Sequence, residues 1–230
     1  MYIRQVIVMI LFLCSATADS QARLSFKHNN YFIKQGYLCR SAYVPDNHAH
    51  NGIDEAQGEV YQEALNIARA CNAQIIGDIG CGSAYKLLKY FGSYYTIGFE
   101  VDPNFAYLKT QYPEKRWIYG DFNVTAELPF FDVIICADVI EHLVDPDELL
   151  NWIQDLDFNY LVISTPDRDK LCLYQVPPEQ SQSGPPINPH HIREWSFAEF
   201  ETYIGQFFKI EKHFHNNVEW MAQVIVATKK

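Results

Sequence analysis

The chain has 230 residues, 48% of them hydrophobic and 20% charged, which suits one well-packed domain with a small appendage. Its formal net charge is −10, from 18 Lys and Arg against 28 Asp and Glu, and no basic run stands out. That balance repels a phosphate backbone, so it disfavours nucleic acid and leaves small molecules or basic partners as the easier ligands.

Residues 1–18 stand apart. MYIRQ carries a positive charge, VIVMILFL is continuously apolar, and Ala16-Thr17-Ala18 supplies small residues, the order of a secretory signal peptide. The apolar run is too short for a membrane-spanning helix. Residues 1–22 are therefore expected to be a signal-like or dispensable segment, followed by a polar, aromatic and irregular arm over residues 23–52. The main folded domain is expected to fill residues 53–230.

From Ile53 to Asn72, Val60, Ala64, Ile67 and Ala68 share one face at helical spacing. Strand-like runs then alternate with helical ones. QIIGDIG, YYTIGFE, RWIYGD, FDVIICAD and YLVISTP read as strands, while YKLLKYF, NFAYLKTQY and PDELLNWIQDL read as helices between them. Residues 167–195 form a long Pro-rich stretch, placed where a substrate lid would lie. A helix restarts at SFAEFETYIG, with Ser196 and Glu199 in capping-box spacing and Gly205 as its expected stop. FFKIEKHF and WMAQVIVATKK complete seven strands and should pair antiparallel. The expected fold is α/β, a Rossmann-like, seven-stranded, mostly parallel sheet with its last strand antiparallel and helices on both faces.

The stretch IIGDIGCGSA carries the first chemical signal. A dinucleotide fingerprint needs a third glycine, and Tyr85 stands there instead. The pattern is Asp78-x-Gly80-x-Gly82-x-Ala84. Glu100 ends the next strand, 18 residues after Gly82, where a carboxylate can accept both hydroxyls of a ribose. Asp121 ends the third strand beside Phe122, an acid and an aromatic suited to an adenine. A carboxylate at position 78 repels a diphosphate and attracts an ammonium group, which favours S-adenosylmethionine over NAD.

DIGCGSA, the acidic end of TIGFE, YGDF, and FDVIICADVIEHL followed by LVISTP resemble the ordered motifs of class I S-adenosylmethionine-dependent methyltransferases. The resemblance covers residues 53–228. It implies that Asp78, Gly80 and Gly82 face the methionine end of the cofactor and that Glu100 takes the ribose hydroxyls. It further implies that Asp121 and Phe122 border the adenine and that Asp138 lies under the cofactor near the sulfonium. Ala84 replaces a frequent glycine, and its methyl should be tolerated if the backbone keeps a negative φ.

Methyl transfer needs a general base only when the acceptor is a hydroxyl or a protonated amine. His142, in the Glu-His-Leu run, and His191, in NPHHIREW beside His190, are the catalytic candidates. Arg193 and Trp195 could instead be anchors that tie this loop to the sheet. The main reading is transfer to a small-molecule acceptor, with no metal ligand assigned. The alternative takes Asp138, Glu141, His142 and His191 together, which resembles the metal-binding pattern of ribose-O-methyltransferases of small RNAs. A cofactor-binding scaffold without turnover is the third reading.

S-adenosylmethionine is a cytosolic metabolite. The sequon Asn123-Val124-Thr125 directly follows the expected adenine site, where a glycan would obstruct binding. Losing Cys14 with the leader would leave five cysteines without framework spacing. The chain is therefore expected in the cytoplasm.

Overall fold

The computed structural model describes residues 23–42, 57–120, 122, 127–171, 178–216 and 222–230. Residues 1–22, Asp121, the Asn123 sequon, Cys172 and the first residues of the helix expected from Ile53 lie outside these.

The strands are β1 (Ile75–Ile79), β2 (Tyr95–Glu100), β3 (Arg116–Tyr119), β4 (Phe131–Ala137), β5 (Phe158–Pro166), β6 (Lys209–His215) and β7 (Ala222–Thr228). They form one seven-stranded sheet in the order β3-β2-β1-β4-β5-β7-β6. β1 to β5 run parallel, and β7 lies antiparallel to both β5 and β6. The helices are α1 (Gly58–Ala70), α2 (Tyr85–Phe91), α3 (Asn104–Gln111), α4 (Pro146–Asp155), α5 (Arg168–Leu171), α6 (Pro178–Ser183) and α7 (Phe197–Phe207). Among the described residues, no helix is long and apolar enough to cross a membrane.

Alternation along β4 shows how the sheet is covered. Val133 and Ile135 join Val60, Ala64 and Ala68 of α1, Leu87 of α2 and Leu108 of α3 on one face. Ile134 and Cys136 join Leu149, Trp152 and Ile153 of α4 and Phe200, Tyr203 and Phe207 of α7 on the other. Both faces of the central strands are thus dry, which is why their sequences are continuously apolar rather than alternating.

Local signals set the helix ends. Asp145 caps α4 by accepting the Asp147 N–H, with Pro146 in the first turn. Ser196 and Glu199 close the capping box of α7. Gly205 does not stop α7. The helix continues to Phe207, because burying Phe207 in the core outweighs the roughly 1 kcal/mol cost of an interior glycine.

Residues 23–42 are built into the second face. Tyr31, Ile33 and Tyr37 are buried, and Tyr31 and Ile33 lie among the aromatic side chains of α7. Asp147 accepts the Phe26 N–H and the Tyr203 hydroxyl, and Asn151 clasps both backbone groups of Leu24. The arm therefore connects α4 and α7 to the loop that precedes α7.

Candidate functional site

The strand order reverses between β1 and β4, so a crevice opens at their carboxyl ends. The glycine loop leaves β1 there. Gly80 and Gly82 have φ of 72° and 56°, a region that side chains rarely adopt. A Cβ on Gly80 would stand 2.4 Å from Val139 Cγ2, whereas one on Gly82 would meet nothing within 4 Å. The first glycine permits close packing and the second leaves room for a ligand.

Asp78 is fully buried at the end of β1. Its Oδ2 accepts the Tyr61 hydroxyl at 3.0 Å, while Oδ1 has no hydrogen-bond partner among the described residues. Burial pushes its carboxyl from the ordinary 3.8 up to about 7. A buried orphan oxygen of this kind fits a ligand that brings a donor with positive charge.

Glu100 ends β2, facing the glycine loop. Its Oε2 accepts the Gly82 N–H at 2.7 Å and its Oε1 accepts the Val101 N–H at 2.8 Å. These bonds fix the carboxylate at the crevice and leave each oxygen a further lone pair. Phe122 is half-buried, with its ring 5.7 Å from that of Trp152 on α4. Asp138 follows β4 with φ 53°. Its Oδ1 accepts the Ser164 hydroxyl at 2.6 Å and its Oδ2 accepts from the Gln57 amide at 3.0 Å. Burial raises its carboxyl, although those hydrogen bonds oppose the shift.

Beyond Asp138 the chain turns into the Glu-His-Leu run. Glu141 is fully buried, with Oε2 accepting from Thr165 and Oε1 lying 3.9 Å from His142 Nε2 without a hydrogen-bond partner among the described residues. Burial pushes its carboxyl well above the usual carboxylate range. The His142 and His191 rings meet edge to face at 4.9 Å. His142 Nδ1 lies 3.0 Å from the His190 carbonyl, so it is the protonated nitrogen that donates there. His191 Nδ1 is 2.7 Å from Glu194 Oε1, and its Nε2 accepts from the Asn188 amide at 2.9 Å. Each of Glu141, His142 and His191 offers a ligand atom within 4.8 Å of the others. Asp138 is not one of this trio, and its oxygens are engaged by Ser164 and Gln57.

Arg193 and Trp195 anchor the loop. The Arg193 guanidinium donates to the Leu143 and Val144 carbonyls and lies 4.3 Å above the Tyr31 ring. Trp195 is fully buried, stacks on Tyr203 and donates to the Tyr31 carbonyl. Ile192 and Arg193 reach back to the Glu141 carbonyl. These ties bring His191 beside His142 across 49 positions of chain.

A family model described as a methyltransferase domain matches residues 72–216, more than half of the chain. The chain belongs to the class I S-adenosylmethionine-dependent methyltransferases. No curated protein matches it. Among solved structures it is similar to the PH0226 protein of Pyrococcus horikoshii OT3, at 15% identity and a TM-score of 0.56, covering 88% of this chain and 99% of that one. It is also similar to the methyltransferase domain of bacterial CtHen1, at 18% identity and a TM-score of 0.56, covering 76% and 99%. A third similar structure is the 1,6-didemethyltoxoflavin-N1-methyltransferase of Burkholderia thailandensis with its acceptor and S-adenosylhomocysteine, at 15% identity and a TM-score of 0.54, covering 77% and 80%. At these identities the structures bear on the fold.

For this methyltransferase, the structure brings Asp78, Gly80, Gly82, Glu100 and Asp138 to the carboxyl ends of β1, β2 and β4, and brings His142, which follows β4, against His191, which precedes α7. Sequence reasoning missed Tyr61 and Gln57, which orient Asp78 and Asp138, and Asn188 and Glu194, which orient His191. The spacing of Glu194 three residues after His191 was a usable signal; the Tyr61 and Gln57 contacts arise from tertiary packing.

Proposed function

We propose that this methyltransferase transfers the cofactor's methyl group to a hydroxyl or amine of a small-molecule acceptor, with His191 as general base. One observation carries the reading: a buried imidazole whose Nδ1–H is held at 2.7 Å by the buried Glu194 carboxylate. A carboxylate in that place fixes the ring and favours the imidazolium that forms when Nε2 takes a proton. His191 is also near enough to Asp138 to influence that carboxyl, which supports a place for the dyad near the sulfonium.

Asp78, Glu100 and Asp138 would hold the cofactor, which supplies a methyl group on positively charged sulfur. His191 Nε2 would take the acceptor's proton, at the position that the Asn188 amide occupies. The loop anchored by Arg193 and Trp195 aligns these atoms and excludes water. The acidic net charge supports a small acceptor, as does the similar fold of the toxoflavin enzyme with its bound acceptor.

The test follows labelled methyl transfer to a panel of small hydroxyl and amine compounds, with wild type and His191→Gln compared. The substitution is expected to lower kcat by about 10²–10⁴-fold while leaving cofactor affinity unchanged. An unchanged kcat would remove His191 from the reaction.

A second reading, metal-assisted methylation of a ribose hydroxyl at an RNA end, is favoured by the Glu141, His142 and His191 cluster. Both imidazoles have Nδ1 tied to an oxygen, the usual way of orienting a metal-ligating histidine. Glu141 Oε1 would offer a buried anionic ligand, and a bound divalent ion would polarise the hydroxyl. The Asn188 contact to His191 Nε2 and the engagement of Asp138 by Ser164 stand against it. Turnover that survives exhaustive chelation favours the base reading; turnover lost to chelation and restored by Mg²⁺ or Mn²⁺ favours the metal.

The cytoplasm remains the proposed location, supported by Cys39, Cys71, Cys81 and Cys136 being free thiols.

A further inference from the structure

The methionine end of the cofactor bears an α-ammonium and a sulfonium, both positive, and an α-carboxylate. Asp78 and Asp138 suit the positive groups, and together with Glu100 at the ribose position they repel the carboxylate. Placing that carboxylate in a crevice with three acids is costly unless a cation meets it.

Lys86 stands in the first turn of α2, half-buried beside the crevice. Its Nζ is 5.9 Å from the centroid of the Tyr61 ring, and the hydroxyl of that same ring holds Asp78 at 3.0 Å. The Lys86 charge lowers the carboxyls of both Asp78 and Asp138, so it is felt at both acids that border the methionine end. Lys89, one turn on, is exposed and lies over Tyr85 and Tyr90 instead. Lys86 is thus the lysine of this helix that points its charge at the crevice.

We propose that Lys86, steadied over Tyr61, forms a subsite for the α-carboxylate of the cofactor, opposite the Asp78 position for the α-ammonium. This rests on the cofactor site described above and adds the residue that lets a zwitterion bind among acids. Lys86 is a binding and positioning residue, since it fixes the amino-acid end and so the direction of the sulfur–methyl bond.

The test is calorimetric binding of S-adenosylhomocysteine and 5′-methylthioadenosine to the full chain, as wild type, Lys86→Met and Lys86→Arg. The second ligand keeps the adenosine and the sulfur but lacks the amino-acid group. The methionine variant is expected to weaken S-adenosylhomocysteine about tenfold, the scale of one charge-assisted hydrogen bond, and to leave methylthioadenosine unchanged. The arginine variant is expected to retain most of the affinity. Equal weakening of both ligands, or no weakening of S-adenosylhomocysteine, would overturn the subsite. Binding of neither ligand to wild type would overturn the cofactor site and the subsite with it, whereas methylthioadenosine bound equally by all three proteins keeps the site independent of Lys86.

Discussion

At the scale of single residues, Asp78 and Ala84 carry the sharpest consequences. Sequence alone marks Asp78 as an acid in a glycine loop; its burial and the Tyr61 bond emerge from packing α1 against β1. A carboxyl raised from 3.8 to about 7 makes the ligand-free fold bind an extra proton, so stability falls as pH rises through that window. Holding an ammonium group requires the ionised form. Cofactor affinity should therefore rise with pH up to about 7, and binding below that should release a proton, detectable by calorimetry in buffers of different ionisation heat. Proton release of zero across that range would contradict the assignment. Asp78→Asn should raise the thermal midpoint of the ligand-free protein and abolish cofactor binding. Ala84 departs from expectation: its φ is 60°, not negative, because this residue turns the chain from the loop into α2. Replacing it with glycine relieves left-handed strain at the loss of one buried methyl, so Ala84→Gly should stabilise by up to about 1 kcal/mol in chemical denaturation.

At the scale of elements, legibility follows locality. The capping box of α7 was readable because its two residues bond within one turn, and Ser196→Ala should cost about 1 kcal/mol in the same denaturation assay. The end of α7 was not readable, since Phe207 and the core it meets decide it. The arm was less readable still. Its residues lack helical or strand period, and they are ordered by Asp147, Asn151 and Ser183, each more than 100 positions away along the chain. Tyr31 connects this arm to the loop that carries His191 through the Arg193 guanidinium. Tyr31→Ala should cost about 3 kcal/mol as a large-to-small core change. It should also lower kcat more than cofactor affinity, because it loosens the loop that carries His191 and leaves the glycine loop intact. Equal losses in both would place the arm outside the acceptor half of the site.

At the scale of the whole molecule, the parallel order of strands and helices was legible because each strand is buried on both faces and reads as an apolar run. The juxtaposition of the residues proposed for the cofactor was equally legible: Asp78, Gly82 and Glu100 sit at or just beyond strand ends, where topology brings them together. The acceptor half was only named in fragments. Glu141, His142 and His191 converge through the Ile192 and Arg193 contacts to the Glu141 carbonyl, which no local pattern encodes. The signal-like order of residues 1–22 makes them dispensable in this account, so removing them should leave the thermal midpoint unchanged. The measurement that tests the central claim most directly is calorimetric titration of the full chain with S-adenosylhomocysteine and, separately, with NAD, repeated for Glu100→Ala. Binding of S-adenosylhomocysteine alone, weakened at least about tenfold by the substitution, is the predicted result. A folded chain that binds NAD, or that binds neither ligand, would contradict it.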